Sequence, residues 1–358
     1  MSANPLLGVL LCWLGGVASA SFYVPFRKVR GWSWETFWLV GGVMSWIVAP
    51  WFFAGLLTND LLGVLQGVPH SVLLWTYFFG VLWGIGGLTF GLGVRYLGMS
   101  LGMAVCMGNC AVFGTLIPPI YHHQFGQLLA HRWGIVTLIG VAVCVLGIAF
   151  AGMAGISKEN ELSAEAKQAS VKEFNLKLGL TVGVFAGVMS ACFAFGLDAG
   201  NPINDFTVQH GTGTVWQGLP ELVVVLLGGF TTNFIWCAIL NWRNRSYGEY
   251  LKVPAGEAEA EKKPSIFGNY FFSFLAGGIW YMQFFFYTMG QSKMGDYKFS
   301  GWTLLMASII IFSTLWGILL KEWHGVSPRT KVLVTLTLVT LVGSTCIVGY
   351  GNYLGMQH

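Results

Sequence analysis

Charge is scarce in this chain: Asp, Glu, Lys and Arg together make up 9% of 358 residues, where soluble domains run near about a quarter. With 55% hydrophobic residues and a mean hydropathy of +0.65, such a chain cannot clothe a soluble globule, and it reads as an all-α integral membrane protein. Catalytic sets are missing as well. There is no Gly-rich phosphate loop, no metal-spaced His pair with an acid, and no Ser/His/Asp set that must converge. Enzymes and metal- or cofactor-dependent classes are therefore set aside. Disulfide frameworks are excluded too, because Cys12, Cys106, Cys110, Cys144, Cys192, Cys237 and Cys346 all lie in apolar runs, where a thiol acts as a small hydrophobe. The net charge of +4 is spread over connections, which argues for orientation in a bilayer and against nucleic-acid binding.

What the chain does contain is long apolar runs. Ten can be marked, at 5–26, 35–57, 72–96, 99–121, 133–155, 176–199, 215–240, 267–291, 301–320 and 331–351, each long enough to cross a bilayer at about 1.5 Å per residue. The run at 215–240 is the most interrupted, since it opens with Gln217, Pro220 and Glu221. Ala18-Ser19-Ala20 has the look of a cleavage site, but no basic residue precedes the first run, and Arg27, Lys28 and Arg30 follow it directly. That arrangement anchors a retained helix. The connections after runs 1, 3, 5, 7 and 9 hold 16 of the 19 Lys and Arg residues. The positive-inside rule then puts both termini outside.

Five runs lie on each side of the first long connection, which invites a search for internal repetition. Gly16-Val17-Ala18-Ser19-Ala20-Ser21-Phe22 matches Gly187-Val188-Met189-Ser190-Ala191-Cys192-Phe193 at five of seven positions, and Gly80 and Trp83 of the third run have counterparts in Gly277 and Trp280 of the eighth. Because five is odd, the second half enters with opposite polarity, and the expected architecture is ten transmembrane helices in an inverted 5+5 repeat. Residues 1–155 form the first repeat, 156–175 a cytoplasmic connector, and 176–358 the second repeat with a cytoplasmic loop at 241–266. Glycines at helical spacing, Gly179, Gly183 and Gly187, and Gly80, Gly84, Gly87 and Gly91, predict faces where helix backbones approach closely.

Polar groups at membrane depth are the candidates for work. In the eighth run Ala276, Trp280, Gln283, Tyr287 and Gly290 share one helical stripe, an amide between two aromatics that suits a sugar. Ser19, Tyr23, Trp83, Asn109 and Asn233 join it as mid-depth polar or aromatic residues, each needing a neighbour, water or ligand. A cavity with so few charges favours a neutral polyol. Four acids are candidates for proton coupling: Glu221 about two turns into the seventh run, Asp198 near the outer end of the sixth, Glu35 at the inner entrance of the second, and Asp296 in the outer loop after the eighth. Glu221 fits best, because a coupling carboxylate must sit where desolvation acts on it. His70, His122, His123, His131 and His210 fall in outward connections and read as solvated.

Several stretches carry a family resemblance: SASFYVPFRKVRGWSWETFWLVGGVMSWIVAPW from 19, VLWGIGGLTFGLGVRYLGMSLGM from 81, EFNLKLGL from 173, WYMQFFFYTMG from 280 and LLKEW from 319. In this order, across nearly the whole chain, they resemble the L-rhamnose/proton symporter family of the drug/metabolite transporter superfamily. The resemblance implies ten helices, an inverted five-plus-five repeat, a bacterial inner-membrane location, and uptake of L-rhamnose or a related 6-deoxy sugar together with H+. Glu35 and Asp296 lie in its better matched WSWE and DY contexts. The alternative is a metabolite or amino-acid exporter or exchanger on the same scaffold. Neither reading requires a cofactor or a metal, and the sequence sets no oligomeric state.

Overall fold

The computed structural model describes residues 4–97, 99–161, 175–252, 265–295 and 298–355. Among them there is no strand. Ten long helices follow in order: α1 (Pro5–Phe26), α2 (Trp34–Leu57), α3 (His70–Leu97), α4 (Met99–Tyr121), α5 (Arg132–Asn160), α6 (Leu176–Ala199), α7 (Leu219–Asn244), α8 (Ile266–Gln291), α9 (Ser300–Leu319) and α10 (Pro328–Gly355). Nine, all but α8, are long and apolar enough to cross a membrane among the described residues. The exception, α8, is 26 residues long and more polar, because it carries Asn269, Ser273, Gln283 and three tyrosines. Most of the connector and residues 253–264 of the loop after α7 lie outside the described residues, as does Asp296.

Local chemistry sets the ends and breaks of these helices. Asn4, Asn175 and Ser265 accept backbone N–H groups of the first turn in α1, α6 and α8, satisfying donors that a helix start leaves open. The interrupted opening of the seventh run resolves into a 3-10 turn at Thr214–Trp216 followed by a helix with Pro220 in its first turn, where a missing N–H costs nothing. Prolines also account for two irregularities. Pro25 cannot donate to the carbonyl of Ser21, and α1 breaks at Phe22. Pro50 cannot donate to Trp46, and α2 widens to a π-helical turn over Met44–Val48.

Glycine decides which helices touch. A Cβ on Gly277 would collide with the carbonyl oxygen of Gly41, and one on Gly80 with that of Val225, so α8 lies against α2 and α3 against α7 backbone to backbone. A Cβ on Gly15 would lie 2.9 Å from the carbonyl oxygen of Gln283 and one on Gly187 2.6 Å from Asn109 Cβ, while Gly16 faces Ser308 and Gly86 faces Ser190. The predicted α6 stripe is fully used, Gly179 packing on α3 and Gly183 and Gly187 on α4, whereas the α3 stripe is half used: Gly80 and Gly84 pack on α7, and Gly87 and Gly91 meet nothing within 4 Å. Van der Waals packing and close backbone approach replace a hydrophobic force in such bundles. The main pairings are α1 with α8 and α9, α6 with α3 and α4, α2 with α8, α7 with α3, and α5 with α10.

One end of the bundle is closed by polar side chains. Glu35 Oε1 accepts from Asn244 Nδ2 at 2.9 Å and from Ser246 Oγ at 2.7 Å. Glu249 accepts from Ser33 N and Oγ, both at 2.6 Å, and from Thr36 Oγ1 at 2.7 Å. These bonds tie the start of α2 to the chain after α7. Arg27 pairs with Glu322 at 2.7 Å, and Glu161 takes Ser327 Oγ at 2.6 Å, so the basic connections gather at this end. The packing predicts a simple contrast. Gly277→Ala drives a methyl into the backbone of α2 and lowers the melting temperature of the detergent-purified protein, by an overpacking cost of about 1–3 kcal/mol. Gly87→Ala, in open space, raises it slightly through helix propensity of roughly 0.5–1 kcal/mol.

Candidate functional site

The opposite end holds a polar cavity of about 70 Å³. Six segments converge on it: the C-terminal turns of α4 and α6, the short helix Asn201–Gln209, the starts of α7 and α9, and the end of α8. Asn201, Asn204, Gln217 and Gln291 contribute amides, Thr288 and Ser292 hydroxyls, and Trp302 an aromatic face. Asp198, Glu221 and Lys298 are its charged residues. This is the donor and acceptor mixture with one apolar wall that binds polyols.

Glu221 is the most enclosed of these, with 1% of its surface exposed. Pro220 and the 3-10 turn start α7 so that Glu221 falls in the first turn and points at the short helix. Its Oε2 accepts from Asn204 Nδ2 at 3.1 Å, while its Oε1 has no hydrogen-bond partner. Gly200 makes room for it, since a Cβ there would land on Oε1. Tyr287 lines the same cavity, its hydroxyl accepting from Gln291 Nε2 at 3.0 Å and its ring edge-on to Trp302 with centroids 5.8 Å apart. At the rim His122 Nε2 meets Asp198 Oδ2 at 2.7 Å, so this histidine, read from the sequence as merely solvated, joins α4 to α6.

Below the cavity lies a layer of rings. Trp302 stacks on Phe193 at 5.8 Å, Phe193 meets Trp83 at 5.0 Å, Trp83 meets Trp46 at 6.2 Å, and Trp46 meets Trp280 at 5.1 Å. Trp280 in turn stacks on Phe22 at 4.8 Å. Trp38 closes the layer from the side, donating through Nε1 to Asn233 Oδ1 at 3.1 Å. The layer separates the open end from the polar closure around Glu35.

The residues singled out from the sequence therefore divide. Glu221, Asp198 and Tyr287 meet in the cavity. Trp83 and Trp280 meet through Trp46, deeper in the bundle. Gln283 is buried with Oε1 unpartnered and does not line the cavity, so the stripe of α8 is split between two levels. Asn109 bonds the carbonyl of Val105 at 2.8 Å in its own helix, Ser19 is buried in α1, and Tyr23 is 53% exposed beside Phe22. Glu35 sits at the far end, inside the polar closure. Sequence reasoning missed Asn204, Gln217, Gln291, Lys298, Trp302 and Trp46. For Asn204 the signal was present in Asn201-Pro202-Ile203-Asn204-Asp205-Phe206, a helix start with a polar and an apolar face.

The sequence model described as L-rhamnose-proton symport protein (RhaT) matches residues 1–354. Proteins named L-rhamnose-proton symporter are similar throughout. The one from Cronobacter sakazakii is 36% identical over 352 residues, covering 98% of this chain and 99% of that protein. The one from Klebsiella pneumoniae is 36% identical over 346 residues, with 96% and 97% covered, and that of Pectobacterium atrosepticum is 35% identical over 351, with 98% and 99% covered. Among solved structures, a crystal structure of a protein 15% identical superposes with a TM-score of 0.50 over 95% of each chain, which speaks for the fold alone. A match that runs from end to end at this identity, over a bundle of apolar helices, places the chain in the L-rhamnose-proton symport protein family.

Proposed function

We propose that this chain carries L-rhamnose and a proton together across the bacterial inner membrane by alternating access. Family membership supports the substrate and the coupling ion. The observation that carries the reading at the level of residues is Glu221: a carboxyl 1% exposed, in a cavity whose other charged residues are Asp198 and Lys298, with one oxygen bonded by Asn204 and the other free. Enclosing an ionised carboxylate that is only half satisfied costs several kcal/mol. Closure over the sugar therefore favours the protonated form, and that links the two solutes. Asp198 and Glu35 take supporting places, one at the rim and one in the closure at the far end, and Asp296 remains a candidate beyond the described residues.

In this proposal α8 is the tenth span, and the halves 1–155 and 176–358 are inverted repeats. The pairings support it. Adding five to each helix of the first half, and subtracting five in the second, turns α1 with α8 into α6 with α3, α1 with α9 into α6 with α4, and α2 with α8 into α7 with α3, while α5 with α10 maps onto itself. Ring contacts follow the same rule, for Phe22 on Trp280 at 4.8 Å is the counterpart of Phe193 on Trp83 at 5.0 Å. Positive-inside counting puts the cavity end and both termini in the periplasm and the polar closure in the cytoplasm. The state described here then receives solute from outside. Rocking the repeats breaks the Glu35 and Glu249 bonds and passes the sugar across the layer holding Trp83, Trp280 and Gln283. One inward charge across about 100 mV supplies about 2.3 kcal/mol, enough for roughly fifty-fold accumulation of a neutral sugar.

L-rhamnose added to a lightly buffered, de-energised, anaerobic suspension of expressing cells should raise the external pH, and an uncoupler should abolish the rise. Glu221→Gln should remove the alkalinisation and accumulation at least ten-fold while sugar exchange across the membrane persists. If labelled rhamnose fails to enter and pH is unchanged, the exporter reading takes its place. The closure is tested by accessibility: in a Cys346→Ser background, Gln291→Cys should react with an impermeant maleimide from outside, and adding Glu249→Ala should slow that reaction several-fold by favouring the opposite opening.

A further inference from the structure

Two polar atoms of one hydrogen-bonded pair lack a donor. Glu221 Oε1 and Asn204 Oδ1 both have no partner, although the two side chains are joined through Asn204 Nδ2 and Glu221 Oε2 at 3.1 Å and are 1% and 8% exposed. Both free atoms are acceptors, since an ionised carboxylate only accepts, and the Asn204 amide must turn its N–H to the carboxylate. Two of the amide donors that line the cavity are committed elsewhere, Asn201 Nδ2 to the carbonyl of Asp198 at 3.0 Å and Gln291 Nε2 to the Tyr287 hydroxyl at 3.0 Å, and the other donors of the lining, Gln217 and Lys298 among them, bond neither free atom. Buried acceptors left unpaired cost about 1–3 kcal/mol each, and two of them on one hydrogen-bonded pair in the wall of a polar cavity suit a ligand rich in O–H groups.

We propose that Glu221 and Asn204 together bind neighbouring hydroxyls of the sugar, so that sugar and proton meet on a single carboxyl group. This rests on the symporter reading and assigns the sugar contact that the reading leaves open. One hydroxyl donates to Glu221 Oε1 and the next to Asn204 Oδ1. When Oε1 takes up a proton it becomes a donor to the oxygen of the same hydroxyl, so the contact survives in both forms, but only the neutral form can be enclosed cheaply. Glycine is needed beside this pair: a Cβ on Gly200 would meet Glu221 Oε1, and one on Gly218 would lie 2.9 Å from Thr288.

The test is a cycle of side chains against sugar hydroxyls. Binding of L-rhamnose, and of analogues each lacking one ring hydroxyl, is measured on the purified protein, on Asn204→Ala and on the milder Asn204→Ser. One analogue should bind the unmodified protein about ten-fold or more weakly, and Asn204→Ala should bind that analogue and L-rhamnose equally. L-rhamnose should also slow carbodiimide modification of Glu221, followed by mass spectrometry, and the analogue lacking the adjoining hydroxyl should protect least. If every hydroxyl loss costs the same in variant and unmodified protein, the contact is wrong while proton-driven rhamnose uptake stands. If the unmodified protein neither binds nor moves L-rhamnose, both readings fall.

Discussion

Backbone approach at glycine is the constraint on which the rest of this bundle depends. In a bilayer, apolar side chains gain little by leaving lipid for protein, so helices are held by dispersion contact and by how near their axes can come. Gly277 against the carbonyl of Gly41 and Gly80 against that of Val225 bring α8 onto α2 and α3 onto α7 with no side chain between them. Faces of this kind hold two helices close without interlocking teeth. They suit the proposed alternating access, in which the halves move past one another and still exclude lipid and water from the seam.

The two ends of the bundle differ in the kind of interaction that closes them. At one end short hydrogen bonds from Ser33, Thr36, Asn244 and Ser246 satisfy Glu35 and Glu249. At the other, the carboxyl of Glu221 has a single donor, and a polar cavity stands in front of it. Both acids lie in the first turns of helices that pack parallel to counterparts in the other half, α2 with α8 and α7 with α3. The pairing gives each end of the bundle its own buried carboxyl, satisfied where the structure is shut and unsatisfied where it is open.

Much of the helical architecture was legible in the sequence, because scarce charge and long apolar runs leave the backbone few ways to satisfy its hydrogen bonds. Run boundaries fell within a few residues of the helices, and the repeated Gly16 to Phe22 and Gly187 to Phe193 segments carry matching contacts. Glu221 and Tyr287, singled out for burial of an acid and for helical phase, line the cavity, whereas Gln283 and Trp280 of the same stripe lie outside its lining, since a helix about 39 Å long by its 26 residues at 1.5 Å each passes through more than one layer. Asn204 was missed because a nine-residue polar helix between spans reads as a loop, and loops do not announce which side chain they turn inward.

The wide turn at Met44–Val48 has a consequence for how α2 can move. A π-helical turn carries one residue more than the α-helix around it, and its helix keeps nearly the same axis. Passing that extra residue along α2 rotates the segment it crosses by about 100°, one residue's share of a 3.6-residue turn, while the ends stay hydrogen-bonded. Trp46, 1% exposed at the centre of the turn, touches both Trp83 and Trp280. A screw-like step in a single helix would thus turn an indole that touches rings of both α3 and α8, without lengthening the bundle or tilting its axis.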